Sequence, residues 1–392
     1  MFAHHHLLDA IIEEVDGRRI RVGDRWLIDF ASCNYLGLDL DREVIEAIPA
    51  YLERWGTHPS WSRMLGSPAV YRQIETSLTE LLGSADSLLL PTLTRIHASV
   101  IPVLASDGTI FVDACAHKTI WDGCVAARAH GATLVRYAHD DPEALERALR
   151  RHPKGPRLVC MDGVNSMTGN PPQLPAFLAL ARDHDALLYV DDAHGFGVVG
   201  ERTGPRPART AAAATGSSAI SARATTTWCS PVASPRPTRR CWPSSPARPS
   251  SSGCSRSPPR HTCTPGPPRS RPWPARSSGS SSTRPEATSC GPCSGRGPGA
   301  SSSTWTSWGR SPSTARGFPI VEVPLADPDD LARAGRFLLD RGIYVTLAFY
   351  PGVPREEVGS RIQVTAANTD DEVSELLATL DRLADVVPLR GI

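Results

Sequence analysis

Between Gly204 and Arg316 the chain contains no Leu, Phe, Tyr, Met, Lys, Asp, Asn or Gln. Its large apolar side chains there are five tryptophans, Ile220 and Val232. So little burial cannot offset the entropy of ordering a chain, which excludes a packed domain and leaves an irregular or disordered stretch. The same segment holds 19 of the 36 prolines and long runs of Ser, Ala and Gly. Its 16 arginines face a single acid, Glu286, so it carries +15 in a chain whose formal charge is +1. The remainder is therefore strongly acidic, and a nucleic-acid role for the whole protein has little support.

Other absences bound the class. No run approaches 18 uninterrupted apolar residues, and the N-terminus lacks the charged and apolar regions of a secretion signal. The expectation is a cytoplasmic protein without a membrane partner. Six of the ten cysteines lie in the odd segment, and Cys33, Cys115, Cys124 and Cys160 are irregularly spaced. Neither a disulfide framework nor a zinc site is suggested, the lone Cys290-x-x-Cys293 reads as chance, and His4, His5 and His6 are too few and too terminal for a metal site.

What is present is an alternation of short apolar runs with helical stretches, the pattern of βα units feeding a mostly parallel sheet with helices on both faces. Strands are expected at 87–90, 109–112, 133–137, 157–161 and 186–190, and helices at 68–82, 94–104, 119–129, 142–151 and 174–184. For the first helix Ser67 reads as N-cap, Pro68 as first helical position and Gly83 as the stop. After the break, 319–323, 329–339, 343–345 and 370–384 read as strand, helix, strand, helix. The expected organisation is an N-terminal arm (1–40), a large α/β domain (41–203), the aberrant segment (204–316) and a small C-terminal α/β domain (317–392).

Open α/β sheets bind ligands at the carboxyl ends of their strands. The sharpest such place is Tyr189-Val190-Asp191-Asp192-Ala193-His194-Gly195, where an apolar strand runs into carboxylates, an imidazole and a flexible Gly-Phe-Gly. A carboxylate fixed there can hold a protonated ring nitrogen, and an imidazole three residues on can hydrogen-bond an adjacent phenolic oxygen. Pyridoxal 5'-phosphate (PLP) needs that arrangement, because a protonated pyridine turns the ring into an electron sink. The bland alternative is a solvated acidic loop with an incidental histidine.

Six stretches in one order sharpen the reading. Asp191-Asp192-Ala193-His194-Gly195 resembles the D-[DE]-x-H motif of the PLP-dependent α-oxoamine synthases, a class II aminotransferase-like family of fold type I. Residues 29–38, DFASCNYLGL, resemble its D-F-x-x-N-[DN]-Y-L-G-L, with Cys33 where most members have Asn. Residues 62–67, SRMLGS, resemble part of its G-S-x-R-x-x-x-G loop. Asp113-Ala114-Cys115-Ala116-His117 resembles D-x-x-x-H, residues 161–169 resemble E-G-V-F-S-M-D-G with Asp162 for Glu, and residues 361–369 resemble R-x-x-x-[ST]-A-A-H-T. The usual phosphate loop S-G-[FYW]-x-x-N is replaced by residues 91–97, PTLTRIH, where His97 reads as core, solvated or a substrate contact.

The resemblance implies a homodimer that condenses an amino acid with an acyl thioester of coenzyme A or a carrier protein, using PLP, no metal and no nucleic acid. It implies that Asp191 holds the pyridine nitrogen, His194 the phenolic oxygen and His117 the ring face, with Ser166 a polar contact. Thr92, Leu93 and Thr94 would hold the phosphate through backbone N–H groups and hydroxyls, and Asn34 and Arg361 the substrate. A same-fold aminotransferase and a non-enzymatic protein with a basic nucleic-acid-binding segment are the alternatives.

One part is missing. The family keeps its Schiff-base lysine in [ST]-x-[ST]-K, roughly 30 residues after D-x-x-H, whereas this chain has only Lys118 and Lys154. Lys118 follows His117 and is expected to face elsewhere, and Lys154 sits in a polar turn. Written in GC-rich codons, residues 228–240 read two bases further along give V-L-A-G-G-F-S-K-A-Y-S-S, with the lysine codon straddling Pro235 and Arg236. The same offset turns residues 261–268 and their continuation into H-L-Y-S-G-P-P-A. Residues 204–316 thus read as the family's sequence translated out of frame, and the chain as written is expected to be inactive.

Overall fold

The structure is a computed structural model that describes residues 7–58, 60–198, 228–230 and 318–390. Its first strands are β1 (Glu14–Asp16), β2 (Arg19–Val22) and β3 (Arg25–Asp29), an antiparallel meander in register Asp16↔Arg19 and Val22↔Arg25. Gly17-Arg18 supplies the turn between the first two, with Gly17 at φ 59, where a side chain would be strained. Helix α1 (Arg42–Trp55) is capped by Asp41, whose carboxylate accepts from Glu43 N and Val44 N, and buries none of its residues.

Helix α2 spans Ala69–Leu82 and ends at Gly83 in the left-handed region, φ 57. Its N-cap is Pro68, without a side-chain cap, one residue later than the Ser67 expected from sequence. Nor does the strand expected at 87–90 form. There the backbone groups of Leu89 are taken by side chains: its N–H donates to Glu75 Oε1 (2.8 Å), and its carbonyl accepts from Arg63 Nη1 (2.6 Å). Satisfied that way, Leu89 has no need of a sheet partner.

The central sheet contains β4 (Thr109–Asp113), β5 (Thr133–Tyr137), β6 (Arg157–Asp162), β7 (Leu187–Asp191) and β8 (Trp228–Ser230), in the order β5-β4-β6-β7-β8. The first four are mutually parallel and β8 is antiparallel to β7. Three residues of the segment expected to be irregular therefore form a strand, while the rest of 204–316 lies outside the described residues.

Strands covered on both faces read as unbroken apolar runs, and alternation decides which layer each residue joins. Ile110, Val112 and Leu158 pack with α3 (Leu93–Ala105) and α4 (Lys118–Ala129) through Ile101, Ile120 and Cys124. Phe111, Val159 and Leu188 pack on the other face with α5 (Pro142–Arg151) and α6 (Leu174–Asp183) through Leu145, Leu149 and Phe177. Each fully buried Phe, Leu or Ile contributes about 1.5–3 kcal/mol.

The C-terminal region holds β9 (Ile320–Pro324), α7 (Leu331–Asp340), β10 (Ile343–Tyr344), β11 (Thr346–Ala348), β12 (Gly359–Gln363) and α8 (Asp370–Ala384). Thr369 and Glu372 form a capping box at the start of α8. Strands β11, β12 and β9 make an antiparallel sheet, and β10 pairs in parallel with β3. The chain after β3 continues into this region: Gln363 N donates to Phe30 O and Ala366 N to Tyr35 O, both at 2.8 Å. One apolar core accordingly joins Ile20, Leu27, Ile28 and Phe30 to Leu338, Ile343, Ile362 and Leu376.

Candidate active site

Three parallel strands end side by side in carboxyl groups: Asp113 on β4, Asp162 on β6 and Asp191 on β7. Asp191 is 5% exposed. Its Oδ1 accepts from Ala193 N (3.0 Å), and its Oδ2 lies 3.0 Å from Nε2 of His97, a fully buried residue of α3. The other imidazole nitrogen, Nδ1, is 2.9 Å from Tyr189 Oη. Burial and then the charge of Asp191 push the Asp162 carboxyl well above the ordinary range, against the pull of the His117 N–H on its oxygens.

The turn after β7 needs its glycine for space. A Cβ at Gly195 would overlap Asp192 Oδ1. That turn carries His194, whose Nδ1 is 2.8 Å from Tyr35 Oη. Tyr35 Oη also lies 3.2 Å from Gln363 Oε1, which accepts from Cys33 Sγ at 3.1 Å. Burial, then the positive charge of Arg361, brings the His194 imidazole down to about 4, while Asp191 pulls the other way. Burial pushes the Tyr35 phenol up. Both groups are therefore neutral near pH 7.

Arg361 lies on β12 and is 7% exposed. Its Nε and Nη2 have no hydrogen-bond partner among the described residues. A buried guanidinium costs several kcal/mol to desolvate, so two unused donors mark a place for an acceptor. His117 precedes α4 with an exposed ring and an Nδ1 that accepts from Thr119 N. Thr92 caps α3 by accepting from Arg95 N (3.2 Å), which puts the exposed Thr92 and Thr94 and the half-buried Leu93 at its first turn. Ser166 sits in the loop after β6, organised by Asn165 Oδ1 accepting from Met167 N and Thr168 N.

His117, Asp191 and Arg361 each act electrostatically on the His194 imidazole, so these expected residues share one electrostatic neighbourhood. Asn34 is turned away from them: its carbonyl accepts from Arg18 Nη2 and its side chain bonds toward Asp39. Its neighbours Cys33 and Tyr35 make the contacts toward Gln363 and His194. Neither lysine reaches the site. Lys118 Nζ lies 2.7 Å from both Asp122 oxygens on the outside of α4, and Lys154 is exposed. Pro235 and Arg236 lie outside the described residues.

Sequence reasoning gave no role to Tyr35 or Gln363 and left His97 open. Tyr35 stood inside a quoted motif, and His97 was the most conspicuous departure from one. Among the described residues Asp113, Cys115 and His139 also bring one ligand atom each within 4.8 Å of one another. Asp113 is already satisfied there: Oδ1 accepts from Cys115 N and from His139 Nδ1, and Oδ2 from Asp140 N.

The profile of the aminotransferase class I and II family matches residues 26–224, half of the chain, and the chain belongs to that family. Similar curated proteins include 8-amino-7-oxononanoate synthases. The chain is 36% identical over 197 residues to 8-amino-7-oxononanoate synthase of Chromobacterium violaceum, covering 50% of this chain and 51% of that one. The same-named protein of Geobacter sulfurreducens is 39% identical over 192 residues, 47% of either chain. The chain thus matches about half the length of these relatives.

Among solved structures, the fold is that of Sphingomonas wittichii serine palmitoyltransferase (TM-score 0.70, 20% identity, 97% of this chain and 94% of that one). It is equally that of a lysine-to-alanine variant of the S. paucimobilis serine palmitoyltransferase with bound PLP-myriocin aldimine (TM-score 0.69, 22% identity, 96% and 92%). The fold-type I architecture expected from sequence is the one observed.

Proposed function

We propose that this chain carries the non-covalent part of a PLP-dependent acyltransferase site, built to condense an amino acid with an acyl thioester, and that it lacks the lysine needed to complete it. The observation that carries this reading is Arg361, buried with two donors unpartnered among the described residues, whose positive charge acts on His194 as the Asp191 carboxylate's negative charge does. A planar fork of donors suits an amino-acid carboxylate. Asp191 would hold the pyridine nitrogen. His194 would meet the phenolic oxygen, its ring held by Tyr35 Oη 2.8 Å from Nδ1. His117 would cover the ring, Ser166 would add a polar contact, and Thr92, Leu93 and Thr94 would take the phosphate. When bound, PLP supplies an electron sink for negative charge at the substrate α-carbon.

The exposed apolar face of α1, with Val44, Ile48, Tyr51 and Leu52, supports a homodimer. Among the described residues no helix is long and apolar enough to cross a membrane. The family's name supports a second reading, an aminotransferase, which would release a keto acid with no acyl donor; dependence of product formation on coenzyme A separates the two. A salt-dependent nucleic-acid complex of the isolated 204–316 peptide would instead favour the non-enzymatic alternative.

Two measurements test the reading. Titration of the purified chain with PLP is expected to give weak binding, no lysine-bound absorbance band and nothing trapped by borohydride; a trapped adduct would overturn the inactivity. A peptide mass map from the natural source across 203–317 distinguishes the two origins of the odd segment. Peptides containing G-G-F-S-K would mean a working synthase recorded out of frame, and Pro/Arg/Ser-rich peptides a product that truly lacks the lysine.

A further inference from the structure

We propose that His97 is the positioning residue of this site, donating from Nε2 to Asp191 so that the carboxylate stays aimed at a cationic aromatic nitrogen. The recognition of that nitrogen rests on the PLP reading above; the imidazole–carboxylate contact does not. Each oxygen of Asp191 has one anchor, the Ala193 N–H on Oδ1 and the His97 imidazole on Oδ2. Two donors on two oxygens fix the rotation of the carboxylate.

His97 is itself held on three sides, at both ring nitrogens and at its backbone. Its other nitrogen meets Tyr189 Oη, and the two rings pack edge to face with centroids 5.8 Å apart. Behind it, α4 approaches so closely that a Cβ at Gly123 would come 2.6 Å from the His97 carbonyl oxygen. Nothing larger than glycine fits there without pushing α3 off the sheet. His97 also lies little more than one helical turn beyond Thr92, so one element would present both the phosphate contacts and the anchor of Asp191. A buried histidine in such a place has no contact of its own with a substrate. It acts through the carboxylate, as residues behind metal ligands act through those ligands.

The test has two arms, both on the full chain. In the first, nitrogen-15 spectra of the imidazoles in the ligand-free protein are recorded for the parent and for Asp191→Asn. A proton on His97 Nε2 whose resonance moves in the variant is expected. A bare Nε2, or one indifferent to Asp191, would overturn the proposal whatever the cofactor.

In the second arm, dissociation constants are measured for PLP and for its analogue with CH in place of the ring nitrogen. The parent is expected to prefer PLP. His97→Ala is expected to cut that preference by about tenfold to a hundredfold, and His97→Gln, which keeps a donor near the Nε2 position, to restore part of it. Equal weakening of both probes, with the ratio unchanged, would mean that His97 only supports packing and would overturn the proposal. A parent that binds neither probe would overturn the PLP reading and the role of His97 within it. Circular dichroism and thermal melting of each variant confirm that the comparison is made between folded chains.

Discussion

Two histidine–aspartate pairs sit at the carboxyl ends of the same parallel sheet, and they differ chiefly in their access to water. His97 and Asp191 are sealed, with side-chain exposures of 0% and 6%. His139 and Asp113 share an equally short contact, 2.9 Å, but the His139 ring is 36% exposed. The open pair behaves as an ordinary charge partnership: its hydrogen bond to Asp113 lifts the His139 imidazole above its usual value despite partial burial. In the sealed pair every polar atom must find a protein partner, because water cannot serve. One contact type is thus a corner brace in the first place and the anchor of a sealed carboxylate in the second.

The comparison can be broken most severely by deleting the acids. Asp191→Ala is expected to cost about 3–5 kcal/mol, because it strands a buried imidazole. Asp113→Ala is expected to cost about 1–3 kcal/mol, since water can reach His139. Urea unfolding of the two variants decides; equal losses would mean that burial is not what separates the pairs.

A buried carboxyl that makes no ion pair among the described residues sharpens the contrast. Burial, then the charge of Glu357, lifts Glu322 to about 7. With its pKa raised on folding, the native state binds the extra proton, so stability falls as pH rises from the unfolded value of 4.5 to about 7 and is flat above. Glu322→Gln is expected to remove that slope, worth up to about 3 kcal/mol at pH 8, and to change little at pH 4; melting curves at the two pH values measure it.

Smaller effects concern titration. His139 is expected to titrate above 6.5 and His194 near 4 in a proton NMR titration. With its pKa lowered on folding, His194 contributes stability that is lost as pH falls from 6.5 towards 4. His139 contributes in the opposite sense, present in acid and lost as pH rises through its raised value. Least of all, Lys118→Ala removes an exposed pair and is expected to change stability by less than about 0.5 kcal/mol and PLP affinity not at all. A loss of affinity there would show that Lys118 serves the site.

Legibility followed the range of the interactions. The strands β4 to β7 were read within a residue or so, because a buried parallel strand is an apolar run whatever its neighbours. The last helix was read at its observed bounds. Strands β1 to β3 went unread although Asp16-Gly17 is a strong hairpin signal, since Arg and Asp dilute the alternation around Ile20, Leu27 and Ile28. At 87–90 the apolar run did signal a strand, but Arg63 and Glu75 took the backbone groups that a sheet would have used. In the site, the Asp191-to-His194 spacing was local and legible. The partners of those residues were not: His97 comes from 94 positions upstream and Tyr35 from 159.

By itself, the sequence determined the α/β class, the carboxylate and imidazole at the end of β7, the absence of a lysine after His194, and the scarcity of apolar residues in 204–316. Those properties reside in composition and in spacings of a few residues. Only the tertiary structure decided that His97 faces Asp191, that Tyr35 faces His194, and that Arg361 is buried with donors to spare. Contacts between distant segments are set by how helices and strands pack, and short-range patterns carry little record of that.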